Sequence, residues 1–313
     1  MYEWLLEDKI AFTKIEKKLL FSDEKFIKEN DFTMIVTAEK EDFRLIWKYN
    51  NNTNIRHYMY TVSEYPTPND WELYEFNEFL NYEINHGRKI LLWFESDSML
   101  SVFAKSIKKR FLQNKISMVE RPYKLEHCKA CKENGCVTNI FCHTSSIEHG
   151  KSILSTGKLL SSKNARGISV SKLMEESRNA ARDPADYFDY VMLSYGNCIA
   201  GDRLVTERRL GRFPNDSDLS ENFYPGIRYY FKRNDIESDS NYCFDGYHAG
   251  KARDFIDLSQ YMICCIIPKI QEENFRNLIP RNLINKVVFV EHKETKNIFE
   301  WTSRAFNIAN ERL

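Results

Sequence analysis

The chain is 313 residues long, 42% apolar and 14% aromatic, with 45 basic and 45 acidic side chains. That length and apolar content suit about two domain cores of ~100–200 residues each, and with 11 Gly and 8 Pro they exclude a disordered, collagen-like or disulfide-stapled chain. Zero formal net charge removes the simplest case for a nucleic-acid or membrane partner, unless the charge is segregated along the chain.

The opening MYEWLLEDKIAFTKIEKK lacks the apolar core of a secretory signal. The most apolar runs, Ile90–Phe94, Tyr261–Ile267 and Val287–Val290, fall far short of the ~20 residues of a membrane helix. The expectation is a soluble, cytoplasmic protein with no membrane partner. Helical spacing runs from Trp4 to Phe26, followed by strands at Asp31–Thr37 and Phe43–Lys48. Tyr65–Asp70 is a break, and Asn69 or Asp70 can cap a helix over Trp71–Tyr82 that Gly87 ends. A strand at Ile90–Phe94, a helix over Met99–Asn114 and a strand at Ile116–Val119 complete this part. Strand–helix–strand with short links predicts an α/β domain over 1–120 with at least one parallel strand pair, suited to recruitment or sensing. No Gly-rich loop follows any of these strands, which argues against a Rossmann or P-loop nucleotide site here.

Between Lys105 and Lys132 stand nine basic residues against Glu120 and Glu126, about +7 in a neutral protein. A solvated helix face accounts for Lys105–Arg110; the whole segment suits a polyanion such as DNA or RNA. It runs into HCKACKENGCVTNIFCH, where Cys128, Cys131, Cys136 and Cys142 are spaced as Cys-x2-Cys-x4-Cys-x5-Cys. Four thiolates satisfy tetrahedral zinc and leave no open position, so residues 121–142 are expected to form a basic structural zinc knuckle. Cys142 is its weakest ligand, since it lies in an apolar segment, and His127 is an alternative. Cys264 and Cys265, inside YMICCII, read as core thiols of a buried strand.

Next come a short strand at Ile140–His143, a Ser145-x-x-Glu148 capping box, a helix with Ile147 and Leu154 on one face, and Gly157 as its stop. His143 and Thr144 then sit at a strand end beside a helix N-terminus, where anionic or polar ligand groups are favoured. Strand, His-Thr, short helix and Ile-Leu-x-x-Gly-x-Leu resembles the opening of ADP-ribosyltransferases. The likeness is to the DarT-type DNA-modifying toxins, and to the poly(ADP-ribose) polymerase and tRNA 2′-phosphotransferase folds. The resemblance continues through Arg166, Ile168 and a helix to Arg178, and reaches the Asp186–Tyr195 segment DYFDYVMLSY, covering roughly 143–200. It implies NAD as substrate, with His143, Thr144 and Ser145 around the ribose and Arg166 or Arg178 at the pyrophosphate. Tyr190 would stack on nicotinamide, and a toxin or antiviral-defence role would follow. The family's late-strand Glu is missing from Tyr242–Asp257 and Met262–Lys269, so Asp245 or Asp254, or Glu207 from an earlier element, would have to serve as the catalytic carboxylate.

Read without the family, Asp202–Arg209 mixes both charges, and Gly226–Lys232 alternates so that Arg228 and Tyr230 share one face. Phe244–Lys251 packs Asp, Tyr, His and Lys between two glycines. A strand at Lys286–Glu291 and a helix over Asn297–Asn310 close the chain. The expected fold class is α+β: an N-terminal α/β domain over 1–120, the short Cys-rich knuckle, and an ADP-ribosyltransferase-like split mixed β-sheet domain over 143–313. The expected activity is NAD-dependent ADP-ribosyl transfer, with nucleic acid as acceptor. The alternative is a non-enzymatic, zinc-containing nucleic-acid-binding protein.

Overall fold

The computed structural model describes residues 3–14, 31–39, 46–50, 55–61, 68, 70–94, 97–112, 137–176, 185–246, 248–292, 295 and 297–313. The architecture is α+β with mixed sheets. The chain divides into two compact units: residues 1–124 with 174–186 and 244–247 form the first, and 125–173, 187–243 and 248–313 the second.

The first unit contains β1 (Glu3–Leu6), β2 (Ile10–Lys14), β3 (Met34–Glu39), β4 (Ile46–Asn50), β5 (Ile55–Thr61), α1 (Asp70–Asn85), β6 (Ile90–Phe94) and α2 (Asp97–Phe111). Its sheet runs β1-β2-β6-β3-β5-β4. The inner four strands are parallel and the two edges antiparallel. Ile10, Met34, Val36, Ile90 and Leu92 pack against Phe76, Phe79 and Leu80 of α1 and Phe103 and Ile107 of α2. The helix expected from Trp4 is instead the β1–β2 hairpin. Two short strands around a polar turn mimic helical spacing, and Asp8 takes the left-handed conformation (φ 56°) that short polar side chains tolerate. The rest of that helix and the strand expected at Ile116–Val119 lie outside the described residues. β5 was not anticipated; it lies parallel to β3, with Tyr58 opposite Val36.

The second unit follows with β7 (Ile140–Ser145), α3 (Ile147–Thr156), β8 (Lys158–Leu160), α4 (Ser162–Arg166), α5 (Val170–Glu176), β9 (Tyr190–Tyr195), α6 (Ala200–Leu210) and α7 (Asp216–Leu219). It continues through β10 (Ile227–Lys232), α8 (Arg233–Glu237), β11 (Tyr242–Cys243), β12 (Gly250–Arg253), β13 (Phe255–Asp257), α9 (Leu258–Tyr261) and β14 (Met262–Pro268). It ends with α10 (Glu272–Phe275), β15 (Val287–Val290) and α11 (Ile298–Asn310). The main sheet is β11-β12-β9-β7-β10-β14-β15, with β7 at its centre; β14 and β15 pair in parallel. β13 and β8 form a separate antiparallel pair.

Both faces of this sheet are buried, and the period-2 alternation of side chains divides the core. Phe141, Leu193, Tyr229, Phe231, Cys265 and Ile267 pack on one side with Leu154 of α3. Ile140, Cys142, Tyr230, Cys264 and Ile266 pack on the other with Trp301, Ala305 and Phe306 of α11. Cys264 and Cys265 are therefore core thiols on opposite faces. Asn297 caps α11 by accepting from Glu300 N at 2.9 Å. Among the described residues no helix is long and apolar enough to cross a membrane.

Candidate functional site

The centre of interest is the end of β7, the strand flanked by β9 and β10. α3 begins one residue later than the sequence suggested. Ser146, not Ser145, is the N-cap, its Oγ accepting from His149 N at 3.2 Å. Ser145 is buried in the strand, and its hydroxyl donates to Ser146 O at 3.1 Å. Register decides between two adjacent serines, because only the one in extended conformation just outside the helix can reach back to the free N–H groups. Gly157 closes the helix in the left-handed conformation, as expected (φ 68°).

His143 is half-buried, with Nδ1 3.0 Å from Met192 O on β9. A carbonyl accepts only, so Nδ1 carries the proton and Nε2 keeps its lone pair in the neutral ring. Burial lowers the His143 pKa, and the charges of Arg208 and His149 lower it further, against the Met192 bond. His149 is lowered in the same way by burial, Arg208 and Arg166, with Glu148 opposing. Both rings are therefore neutral at pH 7 in a positive local field. Of the expected pyrophosphate residues, Arg166 belongs to this neighbourhood and is exposed on α4, whereas Arg178 lies outside the described residues. His149 is exposed, as the sequence suggests, whereas nothing in the sequence pattern singles out Arg208. α6 packs against β7, a tertiary fact that spacing along the chain does not encode.

Thr144 faces a buried polar network. Arg228, its cross-strand partner on β10, is wholly inaccessible and pairs with the equally buried Asp202 on the first turn of α6. The Arg228 fork also donates to Tyr230 Oη at 2.8 Å, Gly196 O at 2.9 Å and Cys198 O at 3.2 Å. Burial works against both charges of the pair and raises the Asp202 carboxyl, while the charge and hydrogen bond of Arg228 oppose that shift. The shared face of Arg228 and Tyr230, read from the alternation, is what the fold uses. The charges of Asp202–Arg209 are split: Asp202 is buried while Arg208 and Arg209 are exposed.

The remaining candidates separate. Tyr190 is buried on β9, with Lys251 Nζ 5.5 Å from its ring centroid, and Glu207 is half-buried on α6. Asp254 is exposed in a left-handed turn (φ 63°) and accepts from Asn164 Nδ2 at 3.2 Å. Asp245 is buried and belongs to the first unit. Lys251 is fully buried, with Nζ 3.2 Å from the centre of the Tyr187 ring, and the His248 ring packs edge-on to that tyrosine.

Cys128, Cys131 and Cys136, with His127, lie outside the described residues. Cys142 is fully buried in the core facing α11, and burial pushes its thiol up to about 11. A thiol held protonated in an apolar layer is a poor zinc ligand. Among the described residues no group of three or more His, Cys, Asp or Glu is arranged to hold a metal.

The chain matches no protein-family model and no curated protein. The second unit presents a neutral His near the end of the central strand, a capped helix N-terminus next to it, and the charges of Arg166 and Arg208 acting on its histidines.

Proposed function

We propose that the second unit binds NAD and breaks its nicotinamide–ribose bond, transferring ADP-ribose to a nucleic-acid acceptor. The observation that carries this is the neutral His143, whose Nδ1–H is engaged by Met192 O, leaving Nε2 as an acceptor for a ribose hydroxyl. Arg166 and Arg208 supply positive charge for the paired phosphates, as arginine forks do. In the reaction the C1′–N bond breaks, its electron pair leaves with nicotinamide, and a nucleophile of the acceptor bonds to C1′ while losing its proton. A carboxylate stabilises the cationic ribose in between. Glu207 is the residue proposed for that role: it is half-buried on the helix that also carries Arg208, whereas Asp254 is engaged by Asn164 and Asp245 lies in the other unit. Zinc would be a structural group held by Cys128, Cys131 and Cys136 with His127 as fourth ligand.

The runner-up, a non-enzymatic nucleic-acid binder, draws on α2, which exposes Lys105, Lys108 and Lys109. Nicotinamide release separates the two. Incubated with NAD and single- or double-stranded DNA, the protein is expected to release nicotinamide, and His143→Ala and Glu207→Gln are expected to lose most of that activity. Salt-sensitive DNA binding with no release would overturn the enzyme reading in favour of the second.

A further inference from the structure

We infer that Arg228 is the positioning residue of this site: it fixes α6, and with it Arg208, against the His143 end of β7. The inference rests on the reading of β7 as the ligand-binding strand. Arg228 reaches three places at once. It pairs with Asp202 on the first turn of α6, donates to the carbonyls of Gly196 and Cys198 in the link between β9 and α6, and donates to Tyr230 Oη on its own strand. Because Arg228 stands directly opposite Thr144 in the β7–β10 ladder, these bonds tie the start of α6 to the residue beside His143.

The packing at this junction leaves no slack. A Cβ on Gly201 would come within 2.6 Å of Thr144 Oγ1, and one on Gly226 within 2.5 Å of Ser145 O. Two glycines thus let the helix and β10 close onto the end of β7. Thr144 Oγ1 and Asp202 Oδ1 are both buried at this junction, and Thr144 acts on the Asp202 carboxyl. Burial of a charged pair contributes little net stability compared with an apolar substitute, but it holds a single geometry. What that geometry presents is Arg208, whose charge acts on both His143 and His149. Among the described residues, Arg166 and Glu148 also act on His149, in opposite directions.

The test titrates His143 and His149 by NMR in the full chain. Arg208→Gln is expected to raise both histidine pKa values. Arg228→Lys, which keeps the charge and loses the fork, is expected to raise them as well, and the double variant is expected to shift them no further than Arg208→Gln alone. Gly201→Ala, which removes neither ionic side chain but whose methyl meets Thr144 and displaces the first turn of α6, is expected to reproduce the shift in a protein shown to be folded. Folded Arg228→Lys and Gly201→Ala proteins with wild-type histidine titrations would overturn the inference, as would fully additive shifts. NAD titrated into the same samples keeps the two claims apart. If the wild type shows the coupled histidines but no NAD binding, the functional reading fails and the positioning role stands.

Discussion

Asp186 shows how one residue fixes a segment whose sequence says little. Arg88 Nη1 and Nη2 donate to its two oxygens at 2.8 and 3.3 Å, and Tyr82 Oη donates as well, so residues 185 and 186 are held to the end of α1 within the first unit. Burial pushes the carboxyl up, but the hydrogen bonds and charge of Arg88, with Tyr82, outweigh it and hold the pKa at about 2, against 3.8 for a free side chain. A depressed carboxyl contributes stability that is present above pH ~4 and is lost as pH falls through about 2. The pKa difference corresponds to about 2 kcal/mol. Asp186→Asn is expected to be less stable by that order at pH 7 and nearly unchanged at pH 2, measured by urea unfolding across this range. Arg88 and Asp186 are 98 positions apart, so no local pattern announces the pair. The face shared by Arg228 and Tyr230 is legible, because two residues of one strand at even spacing point the same way.

At the level of elements, legibility follows length and burial. β6 coincides with the apolar run Ile90–Phe94, since five consecutive apolar residues ending a short link have no other stable home than a buried strand. β5, IRHYMYT, hides because its polar residues break the apolar pattern, and its parallel partner β3 is distant in sequence. α11 is the clearest helix: Asn297 caps it, and Ile298, Trp301, Ala305 and Ala309 at three- and four-residue spacing are buried. Trp301 is fully buried, so Trp301→Ala is expected to cost about 3–5 kcal/mol, visible as a lower denaturant midpoint. A loss below 1 kcal/mol would mean that α11 does not cover this face. The α3 boundary slipped by one because Ser145 and Ser146 are equally good caps by composition, and only the length of β7 tells which one lies outside the strand.

For the molecule as a whole, the α+β class and a parallel strand pair in the first unit follow from patterns a reader can mark on the chain, whereas the central place of the His143 strand is set by sheet order. The partition into units was less visible: 174–186 and 244–247 belong with the N-terminal unit although both lie far along the chain. The site was half legible. His143 and Thr144 stand near the end of the strand that the apolar pattern marks, whereas Arg208 and the Asp202–Arg228 pair depend on how α6 packs against β7. The most direct test is thermal unfolding of the full chain with and without millimolar NAD, in the wild type and in His143→Ala. A ligand that binds the native state alone raises the melting temperature, so NAD should raise that of the wild type and leave the variant unmoved. An unchanged wild-type melting temperature, or an equal rise in His143→Ala, would contradict NAD binding at this strand.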